Sequence, residues 1–332
     1  MKKTPLVSIC IPTYNAENLI ITTLDSIFKQ SYKNFEIIIN DDCSKDRTVK
    51  VIESCKSKKI RIYQNKKNLG YGDNIKQFKR RVRGEIIFLM AQDDFLINEG
   101  LRLTVDQFIK HPQVGVVTRP YYWFNKDPKI PIRQIPPANK KRTVVIDVNK
   151  NPEKIIPIIE SVGQLSGLAY RSDLFTQFHS DVFPAHIYPF MEILREHKCA
   201  FLHKYTIAVG TYDSQTRSKS SIYDLSPTYS WMRMFDSVFK DRKYATIKKI
   251  SKDHMAKNYI GLIQLKNFAK NTKILYREIF YLIKYRYKNL LSFKFWFFSI
   301  GTIIIPRKIL IPMVDNYKNV ILKNWLSKLY YK

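Results

Sequence analysis

The chain is 332 residues long, room for one large domain plus an appendage, and its 57 Lys and Arg against 28 Asp and Glu leave a formal charge of +29. Its cysteines, Cys10, Cys43, Cys55 and Cys199, stand at no metal-ligand spacing, which excludes a zinc framework and favours a reducing compartment. The apolar stretch at 6–11 is too short for a signal-peptide core, so a cytoplasmic location is expected.

Four short β-branched runs open the chain: 7–11 (VSICI), 36–40 (EIIIN), 60–64 (IRIYQ) and 86–90 (IIFLM). Each reads as a strand of a parallel sheet buried on both faces. Between the first two, Ile20, Leu24, Ile27 and Phe28 share one helix face, with Asn15 as the expected cap. Ser44 is the expected cap of a second helix that buries Val49, Ile52 and Cys55. A third, basic helix is expected over 74–81, ahead of Gly84. Alternating strands and helices joined by short connections predict right-handed crossovers and a doubly wound sheet. Polar loops follow three of the strands: Pro12-Thr13-Tyr14-Asn15, Asp41-Asp42-Cys43-Ser44 and Gln92-Asp93-Asp94. Ligands of open α/β sheets bind beyond the carboxyl ends of the strands, so these loops are expected to converge on one crevice.

Residues 119–142 hold Pro120, Pro128, Pro131, Pro136 and Pro137, which predicts a loop that could serve as a mobile lid. Ser166-Gly167-Leu168-Ala169-Tyr170 reads as a strand whose small residues let backbone approach a ligand, followed by a helix over 191–198 and a strand over 200–203. From 230 to 332 there are 22 Lys and Arg against 5 Asp and Glu, interleaved with aromatic and aliphatic residues. The charge-free run at 295–306 (FWFFSIGTIIIP) is too short to span a bilayer, which takes about 20 residues. With Tyr281, Trp296, Lys294, Arg307 and Lys308 it suggests an in-plane anchor on an anionic leaflet, within a docking segment at 270–332. Charge and aromatics also suit nucleic acid, but the acidic loops at 41–44 and 92–94 would repel a phosphate backbone and no RNA-binding signature is present, so no nucleic-acid partner is expected.

The segments PTYN, NDDCSKDRT and QDD, in this order and spacing, resemble the family 2 glycosyltransferases with a GT-A nucleotide-sugar-binding domain. The resemblance is strong over 4–110, weaker to about 215 and absent beyond. It implies an α/β fold: a GT-A doubly wound, mixed and mostly parallel sheet with flanking helices, here followed by a basic helical C-terminal appendage. The implied domain runs over 1–215, with a nucleotide-sugar half at 1–118 and an acceptor half at 119–215; 216–332 is the appendage. The donor is then a nucleoside-diphosphate-sugar whose pyrophosphate is bridged to carboxylates by Mg2+ or Mn2+. By the same resemblance Asp93 is the metal ligand, and Asp41 and Asp42 hold base and ribose. Pro12, Thr13, Tyr14 and Asn15 form the floor under the base, and Asn68, Gln92 and Asp94 complete the donor site. The acceptor is a glycan or a lipid-linked glycan, and the enzyme is peripheral on the inner face of the cell membrane.

Two departures stand out. Where many members read Asp-x-Asp-Asp, this chain has Ala91-Gln92-Asp93-Asp94, and Gly72-Asp73-Asn74 replaces a common Ala-Arg-Asn. An inverting transfer needs a base to deprotonate the acceptor hydroxyl. The family's Glu-Asp pair falls on His186-Ile187, so His186 is the substitute base, with Asp181 and Glu192 as rivals. These losses also leave open a catalytically impaired pseudo-enzyme that keeps the fold.

Overall fold

The computed structural model describes residues 4–176, 178–179, 184–211 and 224–316. The chain divides into two compact units, Met1–Ile130 with Gln134–Tyr212, and Pro131–Arg133 with Asp213–Lys332. The boundary expected near 215 lies outside the described residues.

The first unit opens with β1 (Val7–Thr13), α1 (Ile20–Phe28), β2 (Phe35–Asp41), α2 (Thr48–Glu53), β3 (Ile60–Gln64), α3 (Tyr71–Lys76) and β4 (Ile86–Leu89). It continues through β5 (Phe95–Leu96), α4 (Gly100–Lys110), β6 (Val114–Thr118) and β7 (Tyr121–Phe124). After β8 (Pro131–Ile135) come β9 (Val144–Ile146), α5 (Ile155–Ser161), β10 (Ala169–Arg171), α6 (Ile187–Leu194), β11 (Lys198–Phe201) and β12 (Ile207–Gly210). The main sheet has the order β3-β2-β1-β4-β10-β6-β11-β9. Its first four strands are mutually parallel, as are β6 and β11, whereas β10 runs antiparallel to β4 and β6, and β9 to β11. The chain thus winds outward from β1 through β2 to β3, then returns to place β4 on the other side of β1. That reversal opens a crevice at the carboxyl ends of β1 and β4.

Burial follows the order. Ile9, Cys10 and Ile11 of β1 and Ile37, Ile38 and Ile39 of β2 have no exposed surface, as double-sided strands require. β3 departs from expectation: as the edge strand it is only half-buried. On α1 the periodic residues Ile20, Leu24 and Ile27 are fully buried. The helix expected over 74–81 is instead α3 followed by a 3-10 turn at Gln77–Arg80. The span 119–142 is not simply a loop. Tyr121–Phe124 pairs in parallel with β12, Tyr121 opposite Ile207, and the aromatic run buries Tyr121, Trp123 and Phe124 between flanking prolines.

The second unit contains α7 (Pro227–Val238), α8 (Ala245–Met255), α9 (Ile260–Phe268), α10 (Lys273–Tyr285), α11 (Phe293–Ile304) and α12 (Arg307–Asn316). Tyr259, Leu262, Leu265, Ile274, Leu275, Leu282 and Phe295 form one core there. Ser226 caps α7 by accepting from Tyr229 N–H at 3.0 Å. Glu278 of α10 braces the same helix end: it accepts from the Ser226 hydroxyl, from Thr228 N–H at 3.1 Å and from the Thr228 hydroxyl at 2.6 Å. Burial pushes the Glu278 carboxyl above the ordinary range, and those hydrogen bonds oppose the shift.

Candidate active site

Two loops are sewn together at the β1–β4 crevice. Tyr14 N–H donates to Gln92 Oε1 at 2.8 Å, and Gln92 Nε2 returns a bond to Tyr14 O at 3.3 Å. From α1, the Thr23 hydroxyl lies 2.9 Å from Gln92 O and 2.8 Å from Asp94 O, holding the acidic loop from beneath. Gln92 therefore sets loop geometry through its amide.

Asp93 and Asp94 are adjacent but unlike. Asp94 is buried, accepting from Ser166 Oγ at 2.5 Å and from Gly210 N–H at 2.9 Å. Burial first, then the charge of Asp93, push its carboxyl well above the ordinary carboxylate range. Asp93 is partly exposed. Gly210 packs so close that a Cβ there would collide with the Asp93 carbonyl oxygen. Asp93 thus sits, partly exposed, on a loop whose backbone is held by Thr23 and packed against Gly210. Among the described residues no group of three or more His, Cys, Asp or Glu could hold a metal ion. One partly exposed acid does suit a cation carried largely by substrate phosphates, as Mg2+ often is.

Asp41 and Asp42 tie the loops after β2 and β3. Asp41 accepts from Thr13 Oγ1 at 3.1 Å, Ser44 N–H at 2.9 Å, Ser44 Oγ at 2.5 Å and Gln64 Nε2 at 3.2 Å. A carboxylate offers about four acceptor sites, so Asp41, which has no exposed surface, is saturated. Asp42 accepts from Asn65 Nδ2 at 2.9 Å, Leu69 N–H at 2.8 Å and Gly70 N–H at 2.9 Å, which leaves one site. Asn68 is exposed and its Oδ1 accepts from Gly70 N–H at 3.0 Å.

Neither expected cap forms. Asn15, at φ 47°, accepts from Lys45 N–H at 2.8 Å, and its own N–H donates to Ser44 Oγ at 2.9 Å. Both side chains join the β1 loop to the β2 loop instead of closing helix ends. Asp46 takes the capping duty Ser44 was expected to have, accepting from Thr48 N–H at 3.0 Å.

His186 precedes α6 and is buried, with Nδ1 2.8 Å from the Tyr71 hydroxyl and the two rings edge-on. Its carbonyl accepts from Tyr170 OH at 3.1 Å. Burial holds the imidazole down to about 4, against a small opposite effect of the Val162 backbone. Glu192, on α6, is half-buried and lies 3.3 Å from both His179 Nε2 and Thr176 Oγ1. Ile187, in the position of the family's aspartate, is fully buried. Asp181 lies outside the described residues.

Sequence reasoning missed Tyr71, Gly210 and Arg119. Arg119 is buried beneath Gly167, whose φ of 87° and lack of a Cβ make room for it. It donates to Thr104 Oγ1 at 2.7 Å and Thr206 Oγ1 at 3.0 Å, and burial lowers it to about 9. Gly167 between small residues was the one legible sign of this close approach.

The sheet order, with an acidic loop at its switch point, is that of a GT-A fold. Residues 8–166 match the family described as Glycosyl transferase family 2. The chain is 33% identical over 107 residues to the UDP-Glc:alpha-D-GlcNAc-diphosphoundecaprenol beta-1,3-glucosyltransferase WfgD of Escherichia coli, covering 32% of this chain and 42% of that one. Three other curated bacterial relatives are matched over 17%, 38% and 66% of their own lengths. Among solved structures, Staphylococcus aureus TarS 1–349 in complex with UDP-GlcNAc is similar, with a TM-score of 0.64 and 18% identity over 98% of this chain and 93% of that chain. The mannosyltransferase PcManGT from Pyrobaculum calidifontis in complex with GDP-Man and Mn2+ gives 0.55 and 14% identity over 95% of this chain and 87% of that chain. At these identities the two structures speak for the fold.

Proposed function

We propose that the chain is an inverting glycosyltransferase, moving a sugar from a nucleoside-diphosphate-sugar to a hydroxyl of a lipid-linked or surface-polysaccharide acceptor at the inner face of a membrane. The observation that carries this reading is the partly exposed Asp93, held on a pinned loop at the β1–β4 switch point. The relative named for a UDP-glucose donor and a diphosphoundecaprenol-linked acceptor, and the neighbours bound to UDP-GlcNAc and to GDP-Man with Mn2+, support the substrate class. No helix among the described residues is long and apolar enough to cross a membrane, which suits a peripheral enzyme.

Asp42, with one acceptor site left, receives a donor hydrogen of base or ribose, and saturated Asp41 fixes the loop behind it. The backbone at 12–15 forms the floor under the base, and Asn68 closes the donor site from the β3 side. Asp93 would hold a Mg2+ or Mn2+, which would supply positive charge to offset that of the departing diphosphate. Asp94 positions Asp93 from behind, anchored to Ser166 and Gly210.

The acceptor proton goes to a carboxylate, Glu192 or Asp181, and His186 braces Tyr71 beside Gly70. An imidazole lowered to about 4 is neutral at pH 7 but is a weak base there. The pH–rate profile separates these roles. If Glu192→Gln and Asp181→Asn keep the rate while His186→Ala loses about 10²–10⁴-fold, the histidine is the base after all.

A second reading is a nucleotide-sugar-binding protein without transfer, favoured by the buried Ile187 and by the burial of Asp94, which leaves Asp93 as the partly exposed acid of its loop. One experiment orders the alternatives: thermal stabilisation by uridine, guanosine and thymidine diphosphate sugars with and without Mg2+ or Mn2+, followed by donor hydrolysis. Metal-dependent stabilisation of about 2.7 kcal/mol is expected at a hundred times Kd. Stabilisation without turnover selects the second reading, and stabilisation by oligonucleotides alone overturns both.

A further inference from the structure

α11 is built inside out. At about 100° per residue, Phe293, Trp296, Phe297, Ile300, Ile303 and Ile304 fall within an arc of about 120°. All six are exposed, Phe293 by 85%, Ile304 by 70% and Phe297 by 64%. The opposite face carries Phe295, Ser299 and Thr302, all buried. The Thr302 hydroxyl donates to Phe298 O at 2.7 Å, and Ser299 Oγ has no hydrogen-bond partner among the described residues. A helix designed only to pack against the core of its own unit would turn the hydroxyls outward and the large apolar groups inward. Here Ser299 and Thr302 share the inward face with Phe295, while six large apolar groups lie outside.

The charges around this arc identify what covers it. From residue 273 to 308 the chain has eight cations, Lys273, Arg277, Lys284, Arg286, Lys288, Lys294, Arg307 and Lys308, against the single acid Glu278. That acid is buried and occupied with the end of α7, so it offsets no surface charge. Lys288, Lys294, Arg307 and Lys308 are exposed next to the arc in sequence. A second copy of this chain would bring the same uncompensated cations against the first. A nucleic acid would match the cations but gain nothing from Ile300, Ile303 and Ile304. An anionic bilayer takes both, with acyl chains for the arc and headgroups for the cations.

We infer that α11 lies in the plane of an anionic membrane surface, its Phe293–Trp296–Phe297–Ile300–Ile304 arc in the acyl boundary and its flanking Lys and Arg on the headgroups. This deepens the membrane-side reading above and rests on it. Twelve residues of helix reach only about 18 Å, so the helix lies along the surface and does not cross it. The exposed pair Ile309 and Met313 on α12, one turn apart, extends the contact beyond Pro306.

The test uses the full chain and vesicles of phosphatidylcholine with or without phosphatidylglycerol. Binding to the anionic vesicles is expected to weaken as salt rises. The double substitution Phe297→Ser with Ile300→Ser is expected to reduce the partition coefficient by about 10-fold or more without lowering thermal stability, since both side chains are exposed. Lys294→Gln with Lys308→Gln is expected to reduce binding to anionic vesicles and flatten its salt dependence, leaving neutral vesicles unaffected. Donor-nucleotide binding in solution is read in parallel. If it fails while vesicle binding follows this pattern, the transferase reading falls and the docking surface stands. Indifference of the intact chain to vesicles overturns the inference. So does a serine variant that binds as before, or one that turns a dimer into a monomer, or capture by an oligonucleotide in place of vesicles.

Discussion

The two units handle their large apolar side chains in opposite ways. In the first, Ile109 and Ile130 are the only exposed large hydrophobic residues among those described; in the second there are sixteen, from Leu225 to Met313. The first unit has a complete interior and concentrates its unusual groups at one crevice. The second has an interior of its own around Tyr259, Leu262 and Phe295, yet leaves its apolar residues outside in excess of what packing uses. The difference teaches that composition alone misleads: both units are rich in Phe, Ile and Tyr, but the first keeps them inside and the second leaves many of them at the surface, and only periodicity against burial tells them apart.

The sharpest way to break this comparison is Asp93→Asn. It should lower transfer on the order of 10²-fold or more and remove the metal dependence of nucleotide binding, with vesicle binding intact. Loss of vesicle binding in that variant would mean the two units do not divide the labour. Glu278→Ala comes next. Removing a buried acceptor from Ser226 and Thr228 should cost about 1–3 kcal/mol, seen as faster amide exchange at the start of α7. Unchanged exchange there would show that the Ser226 cap suffices. Gly210→Ala pushes a methyl group against the Asp93 carbonyl, and overpacking of this kind costs about 1–3 kcal/mol. Its signature should be a fall in turnover exceeding any loss of nucleotide affinity, because the loop moves while Asp42 does not.

The smallest expected effect is one of pH. Burial lowers His186 to about 4, below the ordinary histidine value of about 6.5, so the folded state prefers the neutral ring. Its contribution to stability is complete above that ordinary value and is lost as pH falls through the window between about 6.5 and about 4. His186→Gln should flatten the stability curve across this window, and denaturant midpoints measured there will reveal an unchanged slope if the imidazole is not buried neutral.

The first four strands were legible because parallel strands buried on both faces need continuous β-branched runs, and the polar loops after them announced the crevice. The functions of individual loop residues were less so. Asn15 and Ser44 read as helix caps because capping is local, but each bonds across from the β1 loop to the β2 loop, about thirty positions away. Asp94 finds Ser166 and Gly210 at separations of 72 and 116 residues, which no periodicity records. The aromatic strand at Tyr121–Phe124 was hidden by the prolines around it, whose positions bound the strand and do not interrupt it. Burial of His186 was likewise out of reach, since a histidine beside prolines carries no sign of the Tyr71 hydroxyl that meets it.

Gln92 has a further consequence. Its amide both accepts from and donates to the backbone of Tyr14, a two-way contact that a carboxylate cannot make. Gln92→Glu would keep the shape and the accepting half, yet aim an anion at the Tyr14 carbonyl. Position 92 therefore faces two incompatible demands: more negative charge to attract a cation, or a neutral latch that holds the loop in register at any pH. The chain has settled on the latch, which leaves the alignment of the loop indifferent to ionic strength and, in the proposed mechanism, makes attraction for the cation the duty of Asp93.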